Sequence, residues 1–140
     1  TIPRSVHLGI DLWAGLATPV FCPIKAKVHS FKFNDKPGDY GSTIILEHQQ
    51  DGSIFYSLYG HLALSDLAGL KKGQEIHSGE RFCSLGNYSE NGGWPPHLHF
   101  QLIKDLEGNM GDYPGVAQRH QAKAYLANCP NPQSFFYAKG

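Results

Sequence analysis

The stretch His97-Leu98-His99-Phe100-Gln101-Leu102-Ile103, "HLHFQLI", decides how the rest of the chain is read. Side chains alternate across an extended strand, so Leu98, Phe100 and Leu102 form one apolar face while His97, His99 and Gln101 point the other way. At about 3.3 Å rise per residue the two imidazoles stand roughly 6.5–7 Å apart along the strand. A buried polar group without a partner costs about 1–3 kcal/mol. Two imidazoles side by side in a core strand therefore require partners from elsewhere in the sequence.

Composition narrows where those partners lie. The 140 residues suit one domain with its own core, and twelve basic against twelve acidic residues leave no net charge to favour nucleic acid or an anionic membrane. The apolar runs are too short to span a bilayer. No secretory leader precedes "TIPRSVHLGID", and Thr1 in place of a methionine reads as a processed chain or a piece of a longer one. Cys22, Cys83 and Cys129 are far apart and form no CxxC pair, which argues against a thiolate knuckle and favours buried, inert thiols over one disulfide with a free thiol. Sixteen Gly, nine Pro, seven Tyr and eight Phe suit a β-rich domain with many tight turns, and eight His is a high count for this length.

Short β-type runs separated by turn signals follow one another. In "IKAKVHSF", Ile24, Ala26 and Val28 alternate with Lys25, Lys27 and His29, the period of a half-buried strand. "STIILEHQQ" and "SIFYSLYGHL" flank Asp51-Gly52, a hairpin signal, and "NDKPGDYG" reads as an exposed loop. A short helical turn is expected from Ser65, and a helix over about 115–128. The expected architecture is mainly β, an antiparallel barrel-like sandwich over residues 1–106, with a C-terminal helical extension over 107–140 packed on the same domain.

"HLGID" places His7 and Asp11 four residues apart, and Gly9 argues for a bent strand-to-loop segment that converges the two side chains. Imidazole and carboxylate both suit zinc, and His99 is the natural third ligand of a set with an open position. His97 stands too far along to share the ion but near enough to reach water or substrate. "LYGHL" puts His61 at the end of another strand. His29 and His48 alternate with apolar neighbours and read as solvent-facing, His77 falls in a turn, and His120 on the tail helix.

"HLGID", "YGHL" and "HLHF", in this order and at these separations, resemble the lysostaphin-type (LytM-like) zinc metallopeptidases over residues 6–103. The Gly-punctuated "LKKGQEIHSGERFCSLGN", with Gly73, Gly79 and Gly86 closing turns, is similar to the family's hairpin between its catalytic histidines. The resemblance implies the antiparallel sandwich called a duplicated hybrid motif. It implies one zinc ion per chain, held by His7, Asp11 and His99. It also implies endopeptidase action on peptidoglycan stem or cross-link peptides, by a zinc-activated water assisted by His61 and His97. No HExxH glutamate is present, so an imidazole is the available base. The cleft walls are expected from "FNDKPGDYG" and "NYSENGGWPP", with Tyr40, Asn87, Tyr88 and Trp94 as substrate contacts.

The extension resembles that of a variant fused to kinase-like and aminotransferase modules. That reading implies other domains in a longer, cytoplasmic chain, whereas a wall hydrolase belongs in the cell envelope. Two rivals remain. One is a non-catalytic zinc-binding docking domain of a larger enzyme, against which the intact His61 and His97 stand. The other is a carrier domain on a related sandwich: a biotinyl or lipoyl carrier would need a lysine tip that the sequence lacks, and in a phosphohistidine phosphotransferase-system protein the His7–Asp11 pair would have no role.

Overall fold

A computed structural model of the protein describes residues 4–133. In chain order the strands are β1 (Arg4–His7), β2 (Ile10–Trp13), β3 (Pro19–Phe21), β4 (Ala26–Asn34), β5 (Gly41–Gln50), β6 (Ser53–Leu62), β7 (Glu75–Ile76), β8 (Arg81–Ser84), β9 (His97–Ile103) and β10 (Val116–Gln118), followed by helix α1 (Ala122–Asn128). A 3-10 turn covers Leu64–Leu67, at the place where a short helical turn is expected. Six strands form one antiparallel sheet in the order β2-β9-β6-β5-β4-β7, and β3-β8 and β1-β10 are separate two-stranded ribbons. The chain is thus mainly β and antiparallel with a short C-terminal helix. No described helix is long and apolar enough to cross a membrane.

The middle of the central sheet is buried on both faces: residues 41–46 of β5, 57–62 of β6 and all of β9 are buried without alternation. One face carries Ile44, Leu46, Tyr59, Leu98, Phe100 and Leu102 into a core that the β3-β8 ribbon closes with Cys22 and Cys83. The opposite face sends Ile45, Leu58 and Ile103 into a second core with Leu106, Tyr113, Ala117 and Cys129. Residues after 106 are therefore built into a core of the same sheet. All three cysteines are buried, and none is joined in a disulfide.

Local chemistry accounts for the hairpin joining β5 to β6. Asp51 and Gly52 both have positive φ, 52° and 79°, the backbone that a two-residue turn between right-twisted strands needs. Gly73 and Gly79 likewise sit in turns with positive φ. Gly86 differs from expectation: its φ is ordinary, and it is glycine because a Cβ would strike the Leu62 carbonyl.

Two further expectations are corrected. The tail is not one helix from 115: Val116–Gln118 is a strand, Arg119–Gln121 a 3-10 turn, and only Ala122–Asn128 is α-helical. The edge of β1 draws this segment out, pairing His7 with Val116 and Val6 with Ala117. Backbone pairing of that kind outweighs a weak local helix preference. His48 does not face solvent. It is fully buried, stacked on Phe55 at 4.9 Å, with Nδ1 3.2 Å from the Lys25 carbonyl and Nε2 2.6 Å from Ser57 Oγ. Alternation does not imply exposure on a sheet covered on both sides. His29 is half-buried, 2.8 Å from Ser30 Oγ, while His77 and His120 are exposed.

Candidate active site

The bend at Leu8-Gly9 joins β1 to β2 and brings His7 back over Asp11. Leu8 is buried as the pivot, and the Gly9 carbonyl lies 2.7 Å from His7 Nδ1. Gly9 is needed because a Cβ there would fall 2.6 Å from the Phe100 carbonyl oxygen and 2.9 Å from His99 Nε2. β2 then pairs with β9 so that Asp11 opposes His99 and Trp13 opposes His97. Cross-strand partners share a face, and Asp11 Oδ1 comes within 3.5 Å of His7 Nε2, 3.4 Å of His99 Nδ1 and 3.8 Å of His97 Nε2. One ligand atom from each of His7, Asp11 and His99 lies within 4.8 Å of the others, a set that could hold a metal ion. Burial alone would raise the Asp11 pKa, but contact with His99 and the fields of His7, His99 and His97 prevail and hold it below the usual value.

His61 reaches the same place from the end of β6. Its backbone is left-handed, with φ 66°, an uncommon and costly state for a residue with a Cβ. Two backbone bonds hold it there: its N–H donates to the Tyr40 carbonyl at 2.7 Å and its carbonyl accepts from Gly86 N at 3.0 Å. The ring is anchored through Nδ1 to the Asn91 carbonyl at 2.7 Å. Asn91 is itself completely buried, its amide bonded to Gly86, Gly93 and Trp94. His97 is anchored the same way, Nδ1 to the Pro95 carbonyl at 2.8 Å, and its ring lies 4.3 Å from that of His61. Burial, reinforced by the neighbouring imidazoles, pushes the His61 pKa down to about 4.

Four imidazoles therefore each spend one nitrogen on an oxygen acceptor. A carbonyl oxygen can only accept, so the neutral rings of His7, His61 and His97 carry the proton on Nδ1 and keep the Nε2 lone pair. His99 is reversed: its Nε2 lies 2.7 Å from Gln101 Oε1, leaving the lone pair on Nδ1 beside Asp11. This is the donor set that a divalent transition metal requires, neutral imidazole and ionised carboxylate.

A cleft of about 590 Å³ opens over these five residues. Of the four expected wall residues, Tyr40 and Trp94 line it, while Asn87 and Tyr88 do not. Asn87 caps its own turn by accepting from Ser89, and Tyr88 is 72% exposed. The Tyr40 hydroxyl donates to the Tyr113 carbonyl at 2.8 Å, so only its ring is turned to the cleft. Trp13 was not singled out from the sequence. It is 64% exposed, lines the cleft and stacks on His97 with ring centroids 4.3 Å apart and planes at 28°. Its position two residues after Asp11 on a strand was the available signal. Asp112, Tyr113 and Gly115 also line the cleft from the far end of the chain, where no local pattern marks them.

None of the curated proteins compared with the chain matches it. Solved structures do. A point mutant of the catalytic domain of EnpA, a prophage-encoded M23 protein from Enterococcus faecalis, aligns at a TM-score of 0.60 with 19% identity, over 79% of this chain and 77% of that one. LytU aligns at 0.56 with 23% identity, over 89% and 74%. The catalytic domain of the antimicrobial peptidase lysostaphin from Staphylococcus simulans aligns at 0.56 with 20% identity, over 91% and 86%. At these identities the likeness shows the fold. Residues 5–112, most of the chain, match the sequence model of peptidase family M23, and the chain therefore belongs to that family of metallopeptidases.

Proposed function

We propose that the protein is a zinc-dependent endopeptidase acting on peptidoglycan stem or cross-link peptides, with His7, Asp11 and His99 as zinc ligands and His61 and His97 as the acid–base pair. The observation that carries this reading is the anchoring of four imidazoles by their outer nitrogens, which leaves Nε2 of His7 and His97 and Nδ1 of His99 within 3.8 Å of the Asp11 carboxylate and the Nε2 of His61 unspent in the same cleft. Zinc held by that set would lower the pKa of water to about 7 and polarise the scissile carbonyl.

The chain's own residues supply the proton traffic. His61, held through Nδ1 by the Asn91 carbonyl, accepts the proton of the attacking water at Nε2. His97, its ring 4.3 Å away, donates at Nε2 once protonated, to the developing oxyanion or to the leaving amine. The rings of Trp13, Trp94 and Tyr40 border the reacting peptide and limit water. The cell-wall substrate rests on the family resemblance and on the shared fold with the antimicrobial peptidase lysostaphin.

The test is hydrolysis of purified peptidoglycan and defined cross-link peptides by the wild type and His61→Ala, with zinc content matched. Cleavage by the wild type alone is the expected result. Equal cleavage by both would remove His61 from the chemistry, and zinc uptake without cleavage of any wall substrate would refute the substrate assignment.

A further inference from the structure

Gln101 is completely buried, and its amide is engaged at both ends. Oε1 lies 2.7 Å from His99 Nε2, while Nε2 donates to the Pro114 carbonyl at 3.0 Å and to Cys129 Sγ at 3.4 Å. The Pro114 oxygen can only accept, so the NH₂ end must face it and the amide oxygen must face His99. Reversing the amide would set two acceptor oxygens against each other. An oxygen at His99 Nε2 in turn requires the ring proton on that nitrogen and leaves the lone pair on Nδ1, the atom 3.4 Å from Asp11.

The carbonyl that begins this chain is the middle one of three. Tyr113 O accepts from the Tyr40 hydroxyl, Pro114 O from Gln101, and Gly115 O from the Leu8 amide. Three successive backbone oxygens thus hold the cleft wall at Tyr40, the ring of His99, and the residue after His7. Gly115 has no side chain because a Cβ would run into the Tyr40 ring.

We propose that the Tyr113–Gly115 backbone, acting through Gln101, sets the tautomer of His99, and that Gln101 is a positioning residue of the metal site. This rests on the reading of His99 as a zinc ligand. Without the amide oxygen behind it, the His99 ring is free to move its proton to Nδ1 and donate to Asp11, which uses up both lone pairs that the metal needs. Groups that orient a metal-bound histidine typically contribute about 10–100-fold to metal affinity.

The experiment compares wild type, Gln101→Met and Gln101→Glu, all folded by circular dichroism. Ring ¹⁵N shifts of His99 in the metal-free proteins report the tautomer, and chelator competition reports zinc affinity. The wild type is expected to carry the proton on Nε2. Gln101→Met is expected to mix tautomers and to lose about 10–100-fold in zinc affinity, while Gln101→Glu, whose buried carboxylic acid donates its O–H to the Pro114 carbonyl and keeps the other oxygen behind His99, retains the wild-type tautomer and most of the affinity. A Met variant with wild-type tautomer and affinity overturns the proposal, as does a Glu variant that falls as far as Met. If Gln101→Met does not fold, an Nδ1 proton on His99 in the wild type overturns it alone. A wild type that takes up no zinc refutes the metal reading, while the tautomer comparison still decides the role of Gln101.

Discussion

Asp11 and His99 are direct partners in the β2–β9 ladder, with Asp11 Oδ1 3.4 Å from His99 Nδ1. The ladder supplies this contact without help from a loop, so its geometry is as rigid as the sheet. Asp11→Ala removes the carboxylate and keeps the strand pairing. The expected outcome is a folded protein that loses more than the roughly 10–100-fold in zinc affinity typical of removing a merely supporting group. Dialysis against buffered zinc with metal analysis checks it, and wild-type zinc content would exclude Asp11 as a ligand.

Gly9 owes its identity to the approach of β9. In Gly9→Ala the new Cβ meets the Phe100 carbonyl, which the sheet holds in place, and His99 Nε2. Overpacking of this kind costs about 1–3 kcal/mol, and here the displaced groups are His99 and the bend that carries His7. Urea unfolding should show the lost stability and zinc titration the weakened site; a variant matching wild type in both would show that the bend relaxes freely.

Acid should destabilise the metal-free protein through histidines buried in the neutral state. Burial lowers the pKa of His48 and takes that of His61 down to about 4, against about 6.5 in an unfolded chain. The unfolded state then binds protons more tightly, so this stabilisation is complete above pH ~6.5 and is lost as pH falls from there towards 4. For His61 it amounts to something on the order of 3 kcal/mol. Urea midpoints measured at pH 7.5, 6 and 5 should fall in that order, and the fall should be smaller in His61→Asn. A midpoint independent of pH over this range would contradict the burial of both rings.

Trp13 packs its indole on the His97 ring while leaving most of its surface to the cleft. Trp13→Ala removes a stacked aromatic neighbour worth about 0.5–1.5 kcal/mol. That corresponds to a loss of up to about tenfold in kcat/KM on a defined peptide, with little change in thermal stability because the side chain is exposed. An unchanged kcat/KM would show that the indole orients neither His97 nor substrate.

Much of this was legible before any coordinates. Gly9 between His7 and Asp11, the alternation through His97–Ile103, and the Asp51-Gly52 turn are local features, set by backbone sterics and the two-residue period of a strand. They carried the β architecture and the residue types that meet in the cleft. Misreadings arose where a distant segment decides the outcome. His48 alternates with apolar neighbours, yet a second layer covers its face of the sheet. Val116–Gln118 lies in a helix-like context, yet the unpaired edge of β1 claims it.

Which side chains share a strand face, and where the chain must bend, follow from φ/ψ preferences and spacing within a few residues, so both can be read from the order of residues alone. Which nitrogen of each site histidine is left for the cleft is settled by packing, since it depends on the carbonyls of Gly9, Asn91 and Pro95 and the amide of Gln101. The last of these is itself oriented by Pro114, thirteen residues further along. A tautomer is chosen by the acceptor that packing brings to the ring, and no local rule of sequence specifies that acceptor.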